Sequence, residues 1–229
     1  MILEVIATSL SEAKVAEQAG ADRIELITGF QEGGLTPSYG LIAAVVKEVQ
    51  IPANVMVRPH SYSFVYQEEE IRTMLEDIRI IRELGAAGIV IGCLSPEQKI
   101  DTAALERLLD AAKGLDVTFH RAFDEVTDQH EALDLLMNYP QISRVLTSGR
   151  KKSVLDAVEE IASLVKRTAG KKPAILAGSG LTVEALPAFL AQTGVSEVHF
   201  GSGVRYHQDS RQPIDPLLIA NAVAKGRRL

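Results

Sequence analysis

Tryptophan is absent from this chain of 229 residues, and aromatic residues make up only 5% of it. A groove that stacks sugars or bases on aromatic rings is therefore disfavoured. There is one cysteine, Cys93, so no intrachain disulfide can form. A reducing, cytoplasmic setting is the expectation. Basic residues number 24 against 30 acidic ones, a net charge of −6. Nucleic acids and anionic membranes both select a basic face, so neither is an expected partner. No apolar run in the sequence reaches the roughly 18 residues of a membrane span. Met1–Glu4 shows neither the basic start nor the apolar stretch of a secretion signal.

What is present is periodic. Hydrophobic residues make up 46% of the chain, enough for a sizeable core. Short apolar runs read as strands at Leu3–Thr8, Arg23–Ile27, Ala53–Arg58, Gly88–Gly92, Val117–His120, Arg144–Thr147, Ala174–Ala177 and Glu197–Phe200. Helical patterns separate them. Ser9 or Ser11, Asp101 and Asp215 look like helix N-caps, Thr36-Pro37 like a cap followed by proline at the first helical position, and Gly20, Gly85 and Gly114 like stops. Further helices are expected over Ser153–Thr168 and from Thr182 to about Thr193. Alternating strands and helices imply parallel strands with helical crossovers. Eight such units, with no break in composition over residues 1–229, predict a single-domain (β/α)₈ barrel of the TIM type. The alternative, an open doubly wound sheet, normally has fewer strands.

Strand side chains alternate between two faces, and the face against the helices should be apolar. That places Leu3, Val5, Ile24, Leu26, Val55, Val57, Val117, Phe119, Val198 and Phe200 outside the barrel. Glu4, Ile6, Arg23, Glu25, Ile27, Asn54, Met56, Arg58, Thr118, His120, Glu197 and His199 then point inward. Barrel interiors are usually aliphatic, and buried charges must be paired. Glu4, Arg23 and Glu197 come early in their strands and are expected to neutralise one another near the floor. Arg58, His120 and His199 come late, at the end where barrels do chemistry. Glu25 fits either role. In Val117–Asp124, V-T-F-H-R-A-F-D, the strand ends on His120 and Arg121 with Asp124 three residues on. His130 and His207 read as surface residues, and His60 as part of a polar loop.

Three strands end in glycine-rich turns: Thr147-Ser148-Gly149, Gly178-Ser179-Gly180 and Gly201-Ser202-Gly203. Such turns let backbone N–H groups approach an anion, and in barrels the loops after the seventh and eighth strands commonly hold phosphate. Glycine is also common in tight strand-to-helix turns, so these tripeptides fit either reading.

Several long motifs, in register, resemble the CutC family: G-A-D-R-I-E-L at Gly20–Leu26, E-G-G-L-T-P-S at Glu32–Ser38, V-M-V-R-P at Val55–Pro59, T-F-H-R-A-F-D at Thr118–Asp124, R-V-L-T-S-G at Arg144–Gly149, A-G-S-G-L at Ala177–Leu181 and E-V-H-F-G-S at Glu197–Ser202. The resemblance implies a cytoplasmic (β/α)₈-type barrel, a role in copper homeostasis with Cu(I) binding, and homo-oligomeric assembly as a dimer or tetramer. Many members carry cysteines where this chain has Ile6 and Ile27. Cu(I) prefers thiolate or thioether ligands, which leaves Cys93 and Met56, with histidines, to supply it. Cys93 follows Gly92 at the end of the fourth strand, where it is either a ligand near the mouth or a small buried apolar residue.

Two functions follow. One is copper handling, implied by the family and centred on Cys93. The other is an enzyme acting on a small anionic or phosphorylated metabolite. There Arg58 and Arg121 would hold anionic groups, His120 would be the acid/base, Asp124 or Glu25 would orient it, and the Gly180 and Gly203 backbones would seat phosphate. No lysine lies at a strand end, which disfavours a Schiff base. A divalent-metal hydrolase built on Glu25, His120, Asp124 and His199 is a third variant.

Overall fold

The chain closes a ring of eight parallel strands in sequence order, β1 to β8. They are β1 Ile2–Ala7, β2 Arg23–Leu26, β3 Ala53–Met56, β4 Gly88–Ile91, β5 Asp116–Phe119, β6 Ile142–Thr147, β7 Ala174–Gly178 and β8 Glu197–Phe200. Around them run α1 Leu10–Gln18, α2 Tyr39–Glu48, α3 Glu68–Glu83, α4 Thr102–Ala111, α5 Gln129–Leu136, α6 Val158–Arg167, α7 Leu186–Thr193 and α8 Pro216–Gly226. The structure, a computed structural model, describes residues 1–227. The ladder between β1 and β8, with Glu4 opposite His199 and Val5 opposite Phe200, closes the barrel and rules out the open sheet. No helix among the described residues is long and apolar enough to cross a membrane.

The helices begin where side-chain oxygens satisfy free N–H groups. The Ser9 hydroxyl accepts from Glu12 N–H, Asp101 from Ala104, Asp128 from His130 and Glu131, and Asp215 from Leu217 with Pro216 in the first turn. The second helix starts later than Thr36-Pro37 suggests. Ser38 is its cap, accepting from Leu41 N–H, while the Thr36 hydroxyl accepts from Arg58 N–H at 2.9 Å and ties the β2–α2 loop to the end of β3. The helix expected from Ser153 is likewise split. Ser153 caps a single 3₁₀ turn, Val154–Asp156, and α6 begins at Val158. Thr182 caps a turn ahead of α7, which starts at Leu186.

Alternation along the strands holds throughout. Leu3, Val5, Ile24, Leu26, Val55, Val57, Val117, Phe119, Val198 and Phe200 fill the layer between strands and helices. Ile6, Ile27, Met56 and Val90 form a separate cluster inside the ring. Below that cluster lies a chain of charges. Arg23 Nε donates to Glu4 Oε2 at 2.5 Å and its Nη2 to Glu197 Oε2 at 2.8 Å. Arg144 Nε donates to the same Glu197 oxygen at 3.1 Å, and Arg144 Nη1 reaches Asp116 at 2.5 Å and Thr118 Oγ1 at 3.1 Å. Every member has an opposite partner, which is the condition for keeping charge in a barrel floor.

Candidate functional site at the barrel mouth

Above this floor, at the C-terminal ends of the strands, opens a cavity of about 270 Å³. It is the size of a small metabolite rather than a drug-sized ligand. Its apolar base is Ile6, Ile27, Met56 and Leu146, and its polar wall includes Glu25, Arg58, His120, Arg121 and His199. Phe30, on the β2–α2 loop, and Phe64, after β3, close the sides.

Glu25 and His199 form the titrating centre. Glu4 is fully buried; burial alone would raise its carboxyl, but Arg23 and His199 overcome that and hold it at about 2. The ionised Glu4 faces His199 Nδ1 at 2.8 Å, so that nitrogen carries a proton and donates. The other ring nitrogen, Nε2, is turned toward Glu25 Oε2 at 3.9 Å. Burial pushes the Glu25 carboxyl up to about 7, opposed by His199 and assisted by the negative charge of Glu4. For His199, burial works against protonation, and the carboxylates of Glu25 and Glu4 outweigh it and raise the imidazole. Burial and Glu4 thus favour the neutral Glu25 carboxyl, the two carboxylates favour a protonated His199, and a proton on either group bears on the other. Glu25 Oε1 is buried and accepts no hydrogen bond from the protein among the described residues.

His120 has a different character from the acid/base expected of it. Its Nδ1 accepts from Ala122 N–H at 3.1 Å, which fixes the proton of the neutral ring on Nε2. Burial, then the nearby positive charge of Arg58, lower this imidazole to about 3. At physiological pH it is a neutral hydrogen-bond donor. Gly92 makes room for it, since a Cβ there would lie 2.5 Å from the ring. Phe64 packs against the ring with centroids 4.8 Å apart. Arg58 lies over the same Phe64, 4.6 Å from its centroid. Its Nη1 donates to the carbonyls of Glu32 and Gly34 and its Nη2 to that of Ser61, so the terminal nitrogens hold the mouth loops together.

Asp124 does not face His120. A 3₁₀ turn over Arg121–Asp124 carries it to the end of β6. There its oxygens accept from Thr147 Oγ1 at 2.5 Å, Ser148 N–H at 3.0 Å, Ser148 Oγ at 2.9 Å, Gln129 Nε2 at 3.2 Å and Arg121 Nε at 2.8 Å. Asp124 is a clamp on the β6 turn. Thr147, Ser148 and Gly149 serve that clamp and stand outside the cavity wall. Arg121 does line the cavity, with Nη2 donating to Ser148 Oγ at 3.0 Å and Nη1 reaching Ser179 Oγ at 3.4 Å.

The turns after β7 and β8 do reach the cavity: Ser179, Gly180, Gly201, Ser202 and Gly203 line it. Ser179 and Gly180 both take left-handed φ values, +77° and +67°, a strained run for a serine. Among the described residues, the N–H groups of Gly180, Ser202 and Gly203 donate to no protein acceptor. Gly178 leaves space for His199, whose Cβ would be 3.0 Å from a side chain there. Arg144 and Asp116, which complete the floor, were missed by the sequence reading. Continuing the alternation back along β6 from the inward-facing Leu146 would have found Arg144.

The donor set does not fit Cu(I). Cys93 is 1% exposed, packs in the outer layer between strands and helices, and directs its thiol to the Asp101 carbonyl at 3.5 Å. Burial pushes that thiol well above its usual range. Met56 is the only soft ligand on the cavity wall. Glu4, Glu25 and His199 place donor atoms within 4.8 Å of one another, a set suited to a harder cation. Glu4 is already spent on Arg23 and His199. His120 and Asp124 do not join that set, so the four-residue metal site expected from sequence is not assembled.

The sequence profile of the CutC family matches residues 1–204. A CutC family protein of Klebsiella pneumoniae strain 342 is 42% identical over 210 residues, covering 92% of this chain and 83% of its own. One from Pasteurella multocida is 40% identical over 206 residues, covering 90% and 84%. The crystal structure of a CutC protein from Streptococcus agalactiae, named for copper homeostasis, superposes with a TM-score of 0.81 at 34% identity, covering 87% of this chain and 97% of that one. The phosphoribosyl anthranilate isomerase of Thermococcus kodakaraensis shares the barrel, with a TM-score of 0.63 over 100% of this chain, at 18% identity.

Proposed function

The chain belongs to the CutC family, and from that premise we propose that it is a proton-transfer enzyme for a small phosphorylated metabolite rather than a protein that binds Cu(I) through its own side chains. The observation that carries this reading is the Glu4–His199–Glu25 line in the cavity. An ionised carboxylate fixes the imidazole, and the imidazole faces a carboxyl raised to about 7, beside the pH at which a general base works best. Glu25 takes a proton from a carbon next to a carbonyl, and His199 balances the charge as it does so. The free N–H groups of Gly180, Ser202 and Gly203, with Arg121 beside them, seat the phosphate. The copper link comes from a relative's name; the buried Cys93 and the lack of a thiolate on the cavity wall weigh against direct binding.

The test is hydrogen exchange in D₂O. Small phosphorylated aldehydes, ketones and 2-oxo acids are incubated with the protein, and deuterium entering carbon is followed by NMR. The expected result is exchange into at least one of them, slowed more than about 100-fold by Glu25→Gln, the scale of a lost general base. A parallel Cu(I) competition titration against a calibrated chelator should show no tight site, in wild type or Cys93→Ser. No exchange, together with a stoichiometric Cu(I) site, would reverse the assignment.

A further inference from the structure

Of the buried hydrogen-bond donors without a partner among the described residues, Arg58 Nε and His120 Nε2 belong to residues that line the cavity. Both residues are more than nine-tenths buried, at 7% and 3% exposure. Both pack against one ring, Phe64, and both line the cavity. The Arg58 guanidinium donates to three carbonyls and has the buried Tyr66 hydroxyl beside it, and among the described residues it donates to no carboxylate. A buried cation without a counter-ion is costly to fold around, and a neutral imidazole donor beside it adds an unmet hydrogen bond. Every other arginine buried in the barrel, Arg23, Arg144 and Arg205, has its carboxylate.

Strand order gives the direction. In a ring of eight, β3, which leads to Arg58, stands opposite β7, which leads to Gly180. Phosphate at the β7 and β8 turns therefore has Arg58 across the mouth from it, while His120, at the end of β5, stands two strands round from β7. The Glu25–His199 pair comes from β2 and β8, between the two ends.

We infer that Arg58 and His120 form an oxyanion subsite, so that the substrate is a two-ended anion with phosphate at one end and a carboxylate or enolisable carbonyl oxygen at the other. The inference rests on the phosphate reading above for its second end and deepens it. The neutral His120 Nε2–H and the fixed Arg58 charge are aimed where negative charge grows as Glu25 removes a proton, which is how a preorganised site lowers such a barrier. Arg58 acts from the side through Nε, because its terminal nitrogens keep the loops in place.

The experiment compares three probes by calorimetry: 2-phosphoglycolate, ethyl phosphate and oxalate, on wild type and His120→Phe. Phenylalanine keeps a flat ring against Phe64, and cooperative melting of the variant is checked first. In the wild type, 2-phosphoglycolate should bind at least tenfold more tightly than ethyl phosphate. That ratio should fall at least threefold in His120→Phe, a comparison within each protein that cancels any general loss. The ¹⁵N-bound Nε2 proton of His120 should shift with 2-phosphoglycolate and not with ethyl phosphate. An unchanged ratio with an unmoved resonance would overturn the subsite while leaving the phosphate reading intact. If neither phosphate compound binds, the phosphate reading falls, and oxalate decides the subsite alone. Oxalate binding weakened by His120→Phe supports it, and no such binding sinks it.

Discussion

A histidine with one nitrogen committed to a backbone amide has a single neutral tautomer, and His120 is such a residue. Its imidazole is held near 3 by burial and by Arg58, against about 6.5 in the unfolded chain. Between those values the unfolded state binds the extra proton, so stability is full above pH 6.5 and falls as pH drops toward 3. At pH 4.5 the loss from this one group is roughly 2–3 kcal/mol. His120→Phe should therefore lose less stability than wild type between pH 7 and pH 4.5, by about that amount, in urea unfolding at both pH values. Equal losses in the two proteins would mean that His120 titrates normally. From sequence, His120 is singled out because it ends a strand facing inward, and that placement holds. Its protonation was not legible, because it depends on Ala122 N–H, Arg58 and Phe64, which only the folded loops bring to it. Glu25 shows the converse: alternation put it inside the barrel, and its raised carboxyl comes first from burial and then from Glu4 on the adjacent strand, against the pull of His199.

The end of β5 acts as a structural joint. Past Phe119 the motif Thr118–Asp124 carries three polar side chains, and the chain sends them to three places: His120 to the cavity wall, Arg121 to the rim and Asp124 across to β6. Because strand spacing predicts facing only while the strand continues, the direction of Asp124 past Phe119 was not readable. Asp124→Ala would strand the buried Thr147 hydroxyl proton and the Ser148 N–H, while Gln129 Nε2 keeps the Phe123 carbonyl and Thr147 Oγ1 as acceptors. Each unmet buried group costs about 1–3 kcal/mol, and some regain water, so a net loss of roughly 2–4 kcal/mol is expected. Hydrogen exchange should show faster amides at Ser148 and Arg150, both of which donate to Asp124, with the amides of β2 and β3 unchanged. A destabilisation under about 1 kcal/mol would show that the β6 turn does not depend on the clamp. If the β6 turn keeps its shape only through Asp124, Arg121 and Ser179 on the cavity rim should also lose their alignment.

Across the whole molecule, the barrel was legible because its signal is repeated eight times and each repeat is physically forced: an apolar outer face, a helix, a stop. The inner layer follows no such rule, and there the chemistry of the protein is set by a few side chains on a constant frame. Ile6 and Ile27 come from adjacent strands and meet inside the ring with Met56, in the same cluster. The resemblance to CutC proteins puts cysteines at these two positions in many members. Two thiolates and a thioether in a closed apolar pocket are the soft ligands that Cu(I) selects, and the native side chains supply only the thioether. The double variant Ile6→Cys/Ile27→Cys, kept reduced, should bind one Cu(I) at least roughly a thousandfold more tightly than wild type in a chelator competition. Replacing Met56 with Leu in that background should weaken the gain, while Cys93→Ser should leave it untouched, because Cys93 lies in the outer layer. No gain in affinity would mean that the two positions cannot bring their sulfurs together. A large gain would show that two inward-facing residues decide whether this barrel binds Cu(I).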